Sequence, residues 1–263
     1  DLLVRANLDP NSLVTVLEQM HDMTGELETR VNPNRINHPL TSERLKNVKE
    51  RISNIKDVPR VNEKTLAKQN TEYELIRAKL IGYLDSSNVI RNKYPSSDKS
   101  DAALYARAIG NMRAGNLGAA KTGTLSLISR DKNNPYFYEL LGDVEYQYGH
   151  YDDSVDAYEQ SLKLSKDAPQ IQTALALVLS ERKKTGDFDR AIELCKRAIL
   201  KEPAPLTYWV LARVTEDGKS DWAMAEYYNL VGNKKKTREY AKKAQSKLAK
   251  GTPEYLKAGD LLR

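Results

Sequence analysis

The residues with the most chemistry to offer are three histidines, His21, His38 and His150, and a single cysteine, Cys195. Hydrolytic zinc chemistry needs two or three neutral imidazoles or carboxylates converging on the metal, together with a group that moves protons. No two of these histidines stand four residues apart, no HExxH occurs, and no Ser/His/Asp spacing suggests an activated nucleophile. The chain by itself therefore lacks a complete active site. Residues 115–122, GNLGAAKT, have the glycines and lysine of a phosphate loop but not the Gly-Lys-Thr order that sets the lysine against the phosphates, so they are set aside as a nucleotide site. His150 sits beside Gly149 at a predicted turn, His21 follows Met20 on a predicted helix, and His38 precedes Pro39 in a loop where it could cap the next helix. One cysteine excludes an internal disulfide framework and leaves the redox compartment open. Cys195 lies in an apolar stripe and reads as inert core.

The elements that must position these groups are helices, and most of them repeat. Residues 135–168 follow a 34-residue TPR pattern without a gap, with Leu141-Gly142 in the first helix, Gly149 at the turn, and Ser154, Tyr158 and Ser161 in the second. The small residues permit close helix crossing, and the aromatic fills the wedge between neighbouring repeats. One step back, 101–134 places Leu104, Ala108, Gly115, Leu117 and Ala120 in register. One step forward, 169–205 keeps the pattern after three extra residues before Gly186, with Cys195 at the wedge position. A less regular pair follows, Leu206–Glu216 and Trp222–Val231, then a basic helix stopped by Gly251-Thr252-Pro253 and a short capping helix from Glu254 to Leu262. The predicted fold is all-α, a TPR solenoid preceded by a short helical segment.

The first hundred residues show no such register. Asp9-Pro10 opens a helix whose stripe is Leu13, Val16, Leu17 and Met20; further helices are predicted from Ser42 to Ile55, from Lys64 to Leu84, and up to Tyr94-Pro95. Net charge is +6, but residues 233–250 hold eight Lys/Arg against one acid, Glu239, so the remainder sums to about −1. The basicity is local to one helix, where it suits solvent, an acidic protein or an anionic membrane surface. Tyr240 alone offers base stacking there, which argues against nucleic acid. No apolar run reaches membrane-spanning length. The chain starts at Asp1 without a leader-like segment, as expected of a mature form or a fragment.

The strings Ala6-Asn7-Leu8-Asp9-Pro10 and His38-Pro39-Leu40-Thr41-Ser42-Glu43-Arg44-Leu45 resemble the end of the catalytic domain in BepA-like periplasmic zinc metallopeptidases with C-terminal TPR repeats. Residues 70–100 and Trp222-Ala223-Met224-Ala225-Glu226-Tyr227-Tyr228-Asn229-Leu230-Val231-Gly232 are similar to that family as well, so the resemblance spans nearly the whole chain. It implies that 1–60 is the C-terminal end of a peptidase-like domain, 61–100 a helical connector and 101–263 a TPR array with its capping helix. It further implies a bacterial periplasmic parent, engaged in protein quality control and outer-membrane assembly, whose HExxH helix and Glu ligand lie upstream of Asp1. No cofactor is expected in this chain; zinc is implied for the parent, with His38 as the one candidate metal residue once the upstream domain is present.

TPR arrays bind extended segments or helices along a concave groove lined by the first helix of each repeat. By repeat position that lining comprises Tyr105, Ile109, Met112, Arg113, Tyr136, Glu139, Asp143, Tyr146 and Gln147, a mixture that suits a protein or peptide ligand. The same groove would serve a stand-alone TPR adaptor with no enzymatic activity, which is the alternative reading.

Overall fold

The computed structural model describes residues 2–6, 8–28, 41–55 and 63–263, with the side chains of 23–28 and 41 left aside. Every regular element among the described residues is a helix. The chain divides into two compact units, Asp1–Tyr73 and Glu74–Arg263.

In the first unit α1 (Leu2–Arg5) is followed by the helix pair α2 (Asn11–Glu28) and α3 (Thr41–Ser53). Asp9 starts α2 by accepting the Asn11 backbone N–H at 2.9 Å, an Asx-type cap, and Lys49 pairs with Glu18 across the two helices at 2.7 Å. Of the predicted α2 stripe only Leu17 is buried; Leu13, Val16 and Met20 remain at least 40% exposed. His38 and its Pro39 loop lie outside the described residues.

The second unit takes up the rest of α4 (Glu63–Leu84), then α5 (Ser87–Lys93) and the repeats. These are α6 (Asp101–Arg113) with α7 (Leu117–Arg130), α8 (Pro135–Tyr148) with α9 (Tyr151–Ser165), and α10 (Pro169–Arg182) with α11 (Asp187–Lys201). The irregular pair α12 (Pro205–Val214) and α13 (Asp217–Leu230) follows, closed by α14 (Lys234–Lys247) and α15 (Pro253–Asp260). Proline at the start of α8, α10, α12 and α15 costs no hydrogen bond, because first-turn N–H groups have no partner within the helix. Gly149, at φ 76°, ends α8 in the left-handed conformation that side chains resist. Helix α13 starts five residues before the predicted Trp222, at Asp217.

The wedge chemistry is as the pattern requires. Tyr158, 2% exposed, lies so close to Gly142 that a Cβ there would come within 2.8 Å of the ring. Ser154 Oγ donates to the Gly142 carbonyl at 2.8 Å and Ser161 Oγ to that of Pro135 at 2.7 Å, so the small positions also satisfy buried polar groups. Cys195 is fully buried at the equivalent wedge, and burial pushes its thiol up to about 12. The extra residues between α10 and α11 are tied down by buried Asp187, which accepts from Arg182 at 2.7 Å and from the Lys184 N–H at 2.8 Å; Arg182 holds its carboxyl below the usual range.

A candidate protein-binding groove

The first helices of the repeats present one face each to a common groove, and half of that groove is already filled. From Glu74 onward α4 packs across α6 and α8, the helices that carry the predicted lining. Gly82 makes this possible: a Cβ there would lie 2.8 Å from Ile109 Cβ and 3.2 Å from the Ala106 carbonyl oxygen. Ala78 is fully buried and Ile81 is 8% exposed in the same contact. Arg113 donates to the carbonyls of Gly82 at 2.9 Å and Asp85 at 2.7 Å, placing a cation at the negative end of α4.

Polar groups fix the register. Lys79 Nζ reaches Glu139 Oε2 at 2.6 Å and lies 4.7 Å over the Tyr136 ring. Tyr83 Oη donates to Asp143 Oδ2 at 2.8 Å, and Tyr158 Oη donates to Oδ1 at 2.5 Å. Desolvation raises the Asp143 carboxyl to about 6, against the two tyrosine hydrogen bonds that favour its ionised form. Burial together with the neighbouring carboxylates pushes the Tyr83, Tyr105 and Tyr158 hydroxyls upward, so all three remain donors at neutral pH.

Beyond Asp143 the groove is open. A cavity of about 380 Å³ runs between α8, α10 and α12, with Ala174, Leu177 and Val178 along it, Tyr146 at one side and half-exposed Leu206 at the rim. Thr173 Oγ1 and Thr207 Oγ1 satisfy one another at 2.8 Å, which leaves this stretch essentially apolar.

The predicted lining therefore separates into parts. Tyr105, Ile109 and Met112 are 2%, 0% and 4% exposed, which makes them core in this arrangement and closed to a ligand. Arg113, Glu139 and Asp143 are engaged by α4, and Tyr136 is half exposed beneath Lys79. Tyr146 lines the open cavity, whereas Gln147 is exposed outside that lining. Sequence reasoning missed Lys79, Tyr83, Ala174, Leu177 and Leu206. A 34-residue step from Glu139 and Asp143 reaches Thr173 and Leu177, so the repeat itself held that part of the signal.

Metal chemistry finds no support in the described donors. Glu145, His150 and Asp153 bring one ligand atom each within 4.8 Å of the others at the α8–α9 turn. Glu145 already pairs with Lys121 at 2.6 Å and with His150 at 3.0 Å, and one imidazole with two carboxylates does not match a peptidase zinc set. The Lys121 pairing also removes the lysine of GNLGAAKT from any phosphate role. On α14, Lys243 pairs with Glu239 at 2.8 Å and Lys247 with Asp221 at 2.6 Å, while Lys234, Lys235, Arg238 and Lys242 line a shallow cleft.

No protein-family model matches the chain. It is similar to the crystal structure of TTC0263, a thermophilic TPR protein of Thermus thermophilus, at 16% identity over 74% of this chain and 98% of that one, with a TM-score of 0.44. Pseudomonas aeruginosa pilF is similar at 14% identity over 73% of this chain and 99% of that one, TM-score 0.46. Yeast Tom70 is similar at 15% identity over 96% of this chain and 58% of that one, TM-score 0.45.

Proposed function

We propose that this chain is the protein-binding TPR region of a bacterial periplasmic zinc metallopeptidase, recruiting an apolar helical or extended segment of a substrate or partner into the open half of its groove. The observation that carries the binding role is the apolar cavity between α8, α10 and α12, continuous in register with a stretch that already holds a helix of the chain itself. A groove that accommodates α4 has the width for a second helix, and mixed apolar and aromatic walls suit such a ligand. The peptidase parentage rests on the likeness of residues 6–10 and 38–45 to that family. The described residues do not build a peptidase zinc site. The cations of α14 that line the shallow cleft give an acidic protein or anionic membrane surface a second place to rest.

Two measurements separate these parts. A fluorescent amphipathic peptide with Leu at i, i+3, i+4 and i+7 should bind the chain, and Ala174→Glu with Leu206→Glu should weaken it at least tenfold without changing the helical circular dichroism. Unchanged affinity would sink the groove assignment. Reading the coding sequence upstream of Asp1 tests the parentage: an HExxH helix and a downstream Glu ligand support it, while a start codon or signal peptide alone leaves a TPR adaptor.

A further inference from the structure

A second cleft lies between α9, α10 and α11, away from the groove, and its volume is about 530 Å³. Gln172 of α10 lines it and is only 2% exposed; its side-chain amide has no hydrogen-bond partner among the described residues, and its polar atoms keep contact with solvent. The register sharpens the point: the two preceding repeats carry Leu104 and Tyr138 where this one carries Gln172. A polar amide has replaced a space-filling side chain just where a cleft opens.

Charge and shape narrow the ligand. Glu159–Arg190 at 2.7 Å and Asp167–Arg197 at 2.5 Å are ion pairs bridging α9 or its end to α11, so those four charges are spent. Lys163 and Lys166 remain without ion pairs among the described residues, against Glu193. The free balance is one positive charge, which matches a singly charged anion better than a doubly charged phosphate. Leu162 and the edge of Leu194, 7% exposed, supply an apolar wall in front of fully buried Leu175. The backbone at Lys166 and Asp167 is left-handed, φ 37° and 54°, a conformation that costs energy in non-glycine residues and is held here by the Asp167 contacts to Arg197 and Lys201.

We infer that this cleft binds an aliphatic carboxylate, with the Gln172 amide N–H and the Lys163 and Lys166 ammonium groups on the carboxylate and Leu162 and Leu194 beside the apolar arm. Such a group could be the C-terminus of a peptide or a free small acid. Calorimetry on the whole chain would use four probes: acetyl-alanyl-leucine, its C-terminal amide, hexanoate and inorganic phosphate. The expected result is binding of at least one carboxylate, at least tenfold tighter than the amide and tighter than phosphate. Binding of the dipeptide alone assigns a chain terminus, and binding of hexanoate alone a small acid. Gln172→Tyr, the residue of the preceding repeat, should fill the cleft and abolish binding. Lys163→Ala with Lys166→Ala, both exposed, should weaken binding at least tenfold and keeps the test open if the tyrosine variant fails to fold. Equal affinity for acid and amide, preference for phosphate, no binding of either carboxylate, or full binding by a folded variant would overturn the assignment. The Ala174→Glu, Leu206→Glu groove variant should leave this affinity unchanged, so failure here and failure of the groove reading are told apart.

Discussion

The two halves of the groove are built from the same repeat and have opposite chemistry. Over α6 and α8 the lining carries Glu139 and Asp143, and α4 meets them with Lys79 and Tyr83. One repeat later the same positions are Thr173, buried and bonded to Thr207 of α12, and Leu177, and both line the apolar cavity. The polar half is thus matched to a known occupant by specific charge and hydroxyl partners, whereas the apolar half is matched only to a kind of occupant. Directional groups fix one register, and apolar area accepts many.

The sharpest way to break the comparison is to evict α4. Gly82→Leu drives a side chain into Ile109 and the Ala106 backbone, neither of which can swing away as a flexible chain end would. Overpacking of this kind should cost about 3 kcal/mol of the second unit's stability, read from the urea midpoint. It should also expose Tyr105, Ile109 and Met112 and let the amphipathic peptide bind in both halves, raising its stoichiometry. A variant as stable as the parent would mean that α4 does not need its close approach.

A smaller effect comes from Asp143. Its carboxyl stands near 6 in the fold and near 3.8 when unfolded, so between those values the folded chain binds more protons. Stability from this group is therefore greatest below about pH 4, falls as pH rises through about 6, and is level above that. Because Asp143 keeps partial solvent access, the change is no more than about 2 kcal/mol. The measurement is the difference between the parent and Asp143→Asn across pH 4–7, in which other carboxylates cancel. A flat difference would show that the Tyr83 and Tyr158 hydrogen bonds outweigh desolvation. Tyr83→Phe removes one of those donors and should cost about 1 kcal/mol at pH 7, again by urea denaturation.

How much of this was legible beforehand depends on how local the cause is. The repeats could be read from 135–168 because small residues and an aromatic at fixed spacing leave few ways to pack two helices, and Gly142 against Tyr158 is that packing. The groove lining could be read only as positions. Nothing in the periodicity of 101–168 says that a helix well upstream will lie across it. The contacts that put it there, Lys79 to Glu139 and Tyr83 to Asp143, each span 60 residues and follow no repeat. Gly82 was the available clue, a helical glycine that only a close neighbour explains. Boundaries erred where turn chemistry is irregular, as at Asp217, which starts α13 at φ 47°.

The smallest effect on stability tests the open half most directly. Thr173 and Thr207 are buried and bond to each other, and Thr173 Oγ1 also donates to the Pro169 carbonyl at 2.9 Å. Removing the Thr173 hydroxyl strands that of Thr207, but Thr173→Val with Thr207→Val removes both, keeps the shape, and leaves the Pro169 carbonyl its place in the α10 ladder. Replacing both members of a buried pair by apolar groups is close to neutral, so the urea midpoint should move by less than about 0.5 kcal/mol. The same change makes the floor of the cavity wholly apolar, and the amphipathic peptide should then bind severalfold tighter. Weaker binding would show that the ligand reaches the threonine hydroxyls, and the open half would have to be read as polar recognition, like the half that α4 fills.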